Sequence, residues 1–526
     1  MNINENTITL IGGGASALSF IHKFLQKHPR NAKTTTTIYV VEKRAEYGSG
    51  AAYHSDYSSN IMNTKTGYIT VHPELPGDFS NWLNKNTELW QDKFPDYNID
   101  NDGYAPRPLF GLYLQSSFSE EIRSAIAKNV RVVQVNAEAT DVSKINSSYV
   151  TKTNCNLDIT SDFVFLLCGT LPRIKKDSPK QPGAIISNPY PINKLAANIN
   201  PTEDVAIIGS RLSAIDTIIG LVENGHKGKI RMYSRSGYFP SVRGTQGRIT
   251  PAFLSPSYLS TLISNIHTVR INDVIDLVRM EIDTYFANNP SHHREALVIP
   301  PPPISDFAEF LKKEIELAKK PRGWQAVLYS TNVVIDQIWH ALHDDDKERF
   351  LSEFSAPYFS YRVSIPRENA EKILSYVEQG KLEFITGNTT ITKNEDGSPV
   401  IYLAKNGINS ATDYGYVIYA TGSPKSPQQS DSVLLNNLIN KGSVTMHPHG
   451  GLNVTPDTYK IISRTGDTQN GMYALGEITA GTFLFTSALD IIARHAGNCA
   501  DVFYDEHFLE QVPSIGTEQI SISSAV

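Results

Sequence analysis

The feature that most constrains this chain is short. The apolar run Thr7-Ile8-Thr9-Leu10-Ile11 ends in Gly12-Gly13-Gly14, and a helical pattern begins at once. From Ala15 to Gln26 the residues Leu18, Ile21, Phe24 and Leu25 recur at helical spacing, and Thr37-Ile38-Tyr39-Val40-Val41, rich in β-branched residues, follows and ends in Glu42. Strand, turn, helix and strand make a βαβ unit. Within Gly12-x-Gly14-x-x-Ala17 the first glycine permits the tight turn, the second lets a pyrophosphate approach, and Ala17 allows close helix packing. Ala15 and Ser16 fall in the first turn, whose N–H groups face such phosphates. Glu42 is placed to accept hydrogen bonds from ribose hydroxyls, with Lys43 beside it. The alternative is an ordinary tight turn with a surface Glu. The co-occurrence of all these parts favours a dinucleotide site.

A second unit opens at Asp204-Val205-Ala206-Ile207-Ile208, followed by Gly209, a helix from Ser213 to Glu223 and a strand over Lys229 to Tyr233. Here Gly209-Ser210-Arg211 carries an arginine where a second glycine is expected. After the strand, Ser234 and Arg235 stand where an acid would read a 2′-hydroxyl, and a hydroxyl plus a guanidinium suit a 2′-phosphate. That favours NADPH over NADH, against the alternative that Arg211 and Arg235 are solvated surface residues. Two further apolar runs, Asp162 to Gly169 and Tyr416 to Gly422, each stop at a glycine, as strands returning to a sheet beside a nucleotide would.

A chain of 526 residues exceeds the roughly 250 to 300 at which one core stops growing, so several domains are expected. With 40% hydrophobic and 19% charged residues it has material for ordinary cores. A net charge of -6 without a Lys/Arg block disfavours nucleic acid. No apolar run reaches the roughly 18 to 20 residues of a membrane span, and the polar start lacks the basic region of a signal peptide. The three cysteines, Cys155, Cys168 and Cys499, are far apart and form neither a disulfide framework nor a Cys-x-x-Cys pair, which argues for a reducing, cytoplasmic setting.

From about Thr250 to Arg362 the pattern is helical, with helices expected over Asp273 to Phe286, Ile304 to Lys319 and Val333 to Leu342, broken by Pro300 to Pro303. Linkers are expected near Asn188 to Pro201 and near Pro366, and a mobile tail after Pro513.

The segments Tyr47-Gly48-Ser49-Gly50-Ala51-Ala52-Tyr53, Asn60-Ile61-Met62-Asn63, Pro76 to Leu83 and Tyr104 to Tyr113 resemble the bacterial FAD-NAD(P)-binding family, related to flavin-dependent N-hydroxylating monooxygenases. Trp339, Tyr361-Arg362, Met472 to Glu477 and Gly481 to Phe483 extend the resemblance over most of the chain. It implies an α/β protein with two Rossmann-like dinucleotide-binding domains, the FAD domain discontinuous, and a helical insertion. The expected division is an FAD-binding part over 1–195, an NAD(P)H-binding domain over 196–365 with the insertion from about 250, and a second FAD-binding part over 366–526. Gly50, Tyr53, Asn63, Thr64, Arg107, Gly169, Gly422, Gly476, Glu477 and Thr486 join the FAD and NADPH sites on this basis. Glu477 stands where related flavoproteins usually carry Asp, and the helix after Thr486 is expected to aim its N-terminus at the flavin ring.

The resemblance implies hydride transfer from NADPH to FAD, then oxygen transfer from a flavin C4a-hydroperoxide to a small amine or amino acid. The alternatives are an NAD(P)H oxidase or reductase passing electrons to oxygen or a small acceptor, and a non-catalytic flavin-binding module. Arginines are natural carboxylate clamps, and Arg243, Arg248 and Arg362 are the candidates for substrate, while His54 and His72 are weighed for proton transfer without a base being assigned. No metal is implied, and the oligomeric state, a homo-oligomer included, stays open.

Overall fold

The computed structural model describes residues 5–509 apart from 31, 33, 175, 181, 182, 267, 406, 407, 425, 427 and 428. The tail after Pro513 lies outside the described residues. β1 (Glu5–Ile11) runs into the helix Ala15–Lys27 and on to β2 (Thr35–Glu42). The strands pair in parallel, Ile8 against Ile38 and Leu10 against Val40, and these four side chains are fully buried. Burial on both faces is why β1 reads as a nearly continuous apolar run. The helix Arg107–Ile126 leads to β3 (Val130–Asn136), parallel to β2. The antiparallel β4 (Ala139–Ile145), β5 (Ser148–Thr153) and β6 (Asp158–Ser161) follow, and β7 (Phe163–Leu166) then pairs with the free side of β1.

The chain next builds a second sheet from β8 (Ala184–Ile186), β9 (Val205–Ile208) and β10 (Ile230–Ser234), with the helix Leu212–Glu223 as the crossover between the last two. It is completed, after a long helical region, by β11 (Leu382–Thr386). Three antiparallel strands, β12 (Asn388–Lys393), β13 (Pro399–Lys405) and β14 (Ile408–Asp413), lead to β15 (Tyr416–Tyr419), which inserts between β9 and β8. Only then does the chain rejoin the first sheet through β16 (Lys460–Ile462) and β17 (Thr468–Ala474). The first sheet has the order β16-β17-β7-β1-β2-β3 and the second β11-β10-β9-β15-β8.

This topology moves both expected boundaries. β8 already hydrogen-bonds in the second sheet, before residue 195, and β11 and β15 belong there too, so the return to the first sheet comes after Tyr419 and not at 366. The reason lies in parallel pairing. The two-sided burial of β15, with Val417 and Ile418 fully buried, is satisfied beside β9, and its apolar run alone does not say which sheet it enters.

The helical region is real and richer than its sequence pattern. The expected helices are found at Ile271–Asn288, Phe307–Leu317 and Ile335–Ala341, and Pro256–Ile266, Gly323–Ser330 and Ser355–Arg362 add to them. Leu254, Leu277, Trp324 and Val327 centre a core of its own, separate from those of the two sheets. Arg322, 2% exposed, ties this region down by donating to Glu314 and Glu295 and to the Val242 carbonyl (2.9 Å).

One buried ion pair joins the two sheet units. Arg107, at the start of the helix Arg107–Ile126, donates to both carboxylate oxygens of Asp216, inside the crossover helix of the second sheet. The Tyr190 hydroxyl donates to the same carboxylate at 2.6 Å. Nearby, Asp56 accepts from the backbone N–H groups of Ile192 and Asn193 (2.8 and 2.9 Å). Truncating Arg107 would leave Asp216 buried and without its cation, which costs about 3 to 5 kcal/mol in comparable cases. Arg107→Ala is therefore expected to lower the midpoint of urea unfolding markedly, while the double variant Arg107→Met/Asp216→Leu recovers much of the loss; equal midpoints for Arg107→Ala and the unaltered protein would refute the pair's role.

Candidate dinucleotide and substrate sites

The two turns after β1 and β9 are built on one plan. Gly12 has φ +115° and an added Cβ would overlap the carbonyl oxygen of Leu167, just past β7; Gly209 has φ +122° and its Cβ would lie 2.5 Å from the Ala420 carbonyl, just past β15. Each glycine N–H donates at 2.9 Å to the end of the next strand, Gly12 to Val41 and Gly209 to Tyr233. Only a residue without Cβ lets the chain turn this tightly under the neighbouring strand. The two turns part company two residues later, where the helix N-cap is Gly14 in the first unit and Arg211 in the second.

The first turn fits a dinucleotide. Its helix begins without a side-chain cap, which leaves the first-turn N–H groups to an incoming phosphate. The backbone of Gly50 comes so near Gly14 that a Cβ on Gly14 would lie 3.4 Å from it, and the Gly48 N–H donates to the Gly13 carbonyl at 2.6 Å. The segment of Tyr53 thus lies over the turn, with its ring edge-on to Phe110. From the other side the turn Gly476–Thr479 approaches, a Gly476 Cβ lying 3.7 Å from the Ser16 hydroxyl. Ala17 is fully buried, as close helix packing requires. Asn63 and Thr64 are half-buried, and Gly169 and Gly422 have positive φ with open space around them.

Several expected roles change. The Glu42 carboxylate, 6% exposed, accepts from the Gly13 N–H at 3.0 Å and from the Arg44 N–H at 3.0 Å, so it organises the turn itself. Lys43 pairs with Glu138 at 2.9 Å. Arg107 is taken by Asp216 and is not a free phosphate ligand. Desolvation pulls the Arg107 guanidinium down, but the charges and hydrogen bonds of Asp216 and Tyr190 together hold it above its usual range. Glu477 accepts from the Ser423 hydroxyl at 2.8 Å, which ties the turn to the segment after β15. Thr486 is buried just ahead of the helix Leu489–His507, whose N-cap Ala488 supplies no side-chain bond.

In the second turn the Ser210 hydroxyl donates to the Tyr238 carbonyl (2.7 Å) and lies 3.1 Å from the Ser234 hydroxyl, which accepts from the Gly237 N–H. Ser234 is 3% exposed and serves the turn, so it is not the free hydroxyl expected for a 2′-phosphate. Arg235 is exposed, and Arg211 places its guanidinium 5.2 Å from the Phe359 ring.

The candidate substrate arginines do not stay together. Arg243 lies 4.4 Å and Arg362 5.2 Å from the centre of the Tyr329 ring, and Arg362 also lies 5.2 Å from Phe485. Phe359, which carries Arg211, packs 5.8 Å from Phe485. Arg243 and Arg362 thus share one ring, and Arg211 of the second turn reaches the same aromatic group through Phe359 and Phe485. Arg362 is 7% exposed, donates to the Asn332 side-chain oxygen, and has an Nε without a hydrogen-bond partner among the described residues. Arg248 is exposed over Tyr68 instead and is not part of this group. His72 bonds Asp78 at 2.9 Å and packs on His22, while His54 approaches the Ser55 carbonyl at 3.2 Å; neither joins the arginines.

Sequence reading missed Asp216, Tyr329, Asn332 and Phe485. Only Asp216 had a legible signal, as an acid in the middle of the apolar face of the helix Leu212–Glu223. The others are brought together by folding.

Because Gly12 admits no Cβ, Gly12→Ala is expected to yield protein without bound flavin, read from its visible absorbance, whereas Gly14→Ala, whose Cβ would meet only Gly50 at 3.4 Å, retains a fraction. Full flavin content in Gly12→Ala would contradict the tight approach.

Residues 9–171 match the FAD-NAD(P)-binding family. The Escherichia coli (strain K12) uncharacterized protein YdhS is 20% identical over 456 residues, 74% of this chain and 80% of that one. In fold the chain is similar to the Kutzneria sp. 744 ornithine N-hydroxylase KtzI (13% identity, TM-score 0.55) and the L-lysine 6-monooxygenase of Pseudomonas syringae (13%, 0.53), covering 95% of this chain and 99% of each of those. The ornithine hydroxylase PvdA of Pseudomonas aeruginosa aligns over the same shares at 15% identity and TM-score 0.55. Among the described residues no helix is long and apolar enough to cross a membrane. The match over residues 9–171 marks an FAD-NAD(P)-binding segment, consistent with the class of a flavin-dependent oxidoreductase that uses FAD and a nicotinamide dinucleotide.

Proposed function

We propose that this chain is an FAD-dependent, NADPH-using monooxygenase that hydroxylates a small amine or amino acid. The observation that carries the reading is the group Arg243, Arg362 and Arg211, which gathers positive charge where the two nucleotide units and the helical region meet. Among the described residues neither Arg243 nor Arg362 has a carboxylate within ion-pair distance, and Arg362 is held below its usual range by burial. Such a site suits a carboxylate brought by the substrate. The ornithine and lysine hydroxylases that share the fold act on amino acids by name, which supports the same class.

Gly12, Gly14, Ala15, Ser16, Ala17, Glu42, Gly50, Tyr53, Gly476 and Glu477 are the residues proposed to border FAD, with the first-turn N–H groups and Gly50 at its pyrophosphate. Gly209, Ser210, Arg211 and Arg235 are proposed for NADPH, Arg211 and Arg235 supplying the guanidiniums for its phosphates. When bound, FAD supplies the transfer of electrons from the nicotinamide and the activation of oxygen. The chain's own part is to hold the carboxylate at Arg243 and Arg362, and to keep water from the site with Tyr329, Phe359 and Phe485. A disulfide-reductase role finds no support in the three cysteines. Each is free, and burial pushes the Cys168 thiol up to about 12, so it is not a thiolate.

Anaerobic addition of NADPH is expected to bleach the yellow protein faster than NADH does, and subsequent air with an amino-acid panel is expected to yield a hydroxylamine in step with NADPH consumed. Reoxidation that releases hydrogen peroxide with every amine offered would reject oxygenation in favour of an oxidase. Arg211→Ala is expected to raise the KM for NADPH by about tenfold, the size of one lost charged contact, with kcat little changed.

A further inference from the structure

Two imidazoles and three carboxylates gather on the first unit, away from both nucleotide turns. His22 stands in the helix Ala15–Lys27, about 12 Å along its axis from Gly14, and Glu121 comes from the helix Arg107–Ile126. His72, from the segment ahead of the helix Asp78–Lys85, sets its ring 4.2 Å from that of His22, centre to centre. One ligand atom from each of His22, His72 and Glu121 lies within 4.8 Å of the other two. Three atoms so placed share a point within about 2.8 Å of each, against the roughly 2.0 to 2.2 Å of a zinc bond to nitrogen or oxygen, so small side-chain shifts close the set.

Both rings are held by carboxylates. His72 Nδ1 bonds Asp78 at 2.9 Å, and the Tyr113 hydroxyl donates to the same Asp78 oxygen at 2.6 Å. Because a carboxylate only accepts, Nδ1 carries the proton and Nε2 the lone pair. That Nε2 is buried without a hydrogen-bond partner among the described residues, on a residue 7% exposed. His22 bonds Glu74 through Nε2 at 2.5 Å and Glu121 through Nδ1 at 2.7 Å. An imidazolium between two carboxylates would account for His22, but it would leave the His72 lone pair buried and unmet. A ring that gives one N–H to a carboxylate and keeps its other nitrogen for a cation is the arrangement of metal-binding histidines.

We propose that the first unit binds one zinc-class divalent ion through His22 Nδ1, His72 Nε2 and the Glu121 carboxylate, with solvent in the fourth position and Glu74 and Asp78 orienting the rings. The ion replaces the proton between His22 and Glu121. Two imidazoles select it over magnesium and calcium, which take oxygen ligands. Its role is structural: it joins the helix that follows the Gly12 turn, the segment of His72 and the helix that begins at Arg107. The three ligands lie far apart in the chain, so their spacing carries no metal motif. The site is independent of the monooxygenase reading.

The test uses the untagged, FAD-loaded full chain, dialysed against a chelator and titrated with zinc sulfate in competition with a fluorescent zinc indicator. One equivalent is expected to bind with a Kd of about 1 μM or below, and the thermal midpoint, followed by flavin fluorescence, is expected to rise by about 2 °C or more. Magnesium chloride at about a thousandfold excess is expected to do neither. Glu121→Gln and His72→Gln are each expected to weaken zinc binding by more than about tenfold and to abolish the rise, and Asp78→Asn, which touches only a positioning residue, by about tenfold. His447→Gln, which alters the other close imidazole pair, His447 and His449, is expected to leave zinc binding unchanged. Should His72→Gln fail to fold, Glu121→Gln on the half-buried helix face decides alone. No uptake at about 100 μM zinc, equal binding of magnesium, undiminished binding to Glu121→Gln, or loss of binding in His447→Gln overturns the site.

Discussion

The contact on which the functional geometry depends is the one between Arg107 and Asp216. Asp216 is 2% exposed on the inner face of the crossover helix of the second sheet, where an uncompensated carboxylate would be costly. Its partner comes from the first unit, at the start of the helix that leads to β3, and Tyr190 from the connecting segment fills the remaining acceptor position. Because its charge is met by a cation of the other unit, Asp216 ties the second sheet to the first. Asp56 repeats the logic in weaker form by accepting from the backbone at Ile192 and Asn193. Everything that lies between the two turns inherits its position from these contacts.

Within that frame the protein uses one turn twice. At Gly12 and at Gly209 the chain passes under the carbonyl at the end of an adjacent parallel strand, and the same N–H bond to the next strand fixes it. The difference at the N-cap separates the roles. Gly14 leaves the backbone bare, so a pyrophosphate can sit against it, whereas Arg211 puts a long cationic side chain at the same place and reaches across to Phe359 in the helical region. At the second turn the Arg211 guanidinium, set over the Phe359 ring, thus stands in place of a bare backbone cradle.

Local features were legible in the sequence because local physics sets them. Gly12, Gly14 and Ala17, the two-sided burial of β1 and β9, and the helical periodicity of the insertion are all read from neighbours along the chain. What sequence could not supply is pairing at a distance. The run at Tyr416 looks the same whichever sheet it joins, and the apparent break at Pro366 is only the start of a helix that remains with the second sheet. Side-chain commitments were equally hidden: Arg107 looked available for a phosphate until Asp216 claimed it, and Ser234 looked like a 2′-phosphate donor until its hydroxyl was used to close the turn at Gly237.

Arg362 is the least easily explained of the buried groups as a structural device. Removing a guanidinium from water costs several kcal/mol unless a well-placed anion returns it. Arg322, in the same region, obeys that rule with two glutamates against it. Arg362 does not: its nearest acid, Asp490, is reached only through Asn332, whose side-chain amide donates to it at 2.6 Å, and Arg243 on the other side of Tyr329 adds a like charge. Asp336, the other acid in the neighbourhood, is already shared by Arg494 and His495. The chain therefore keeps one cation under-compensated at the junction of its cores and spends its acids elsewhere. An anion bound there would relieve that deficit, and burial would make the gain larger than at an exposed arginine.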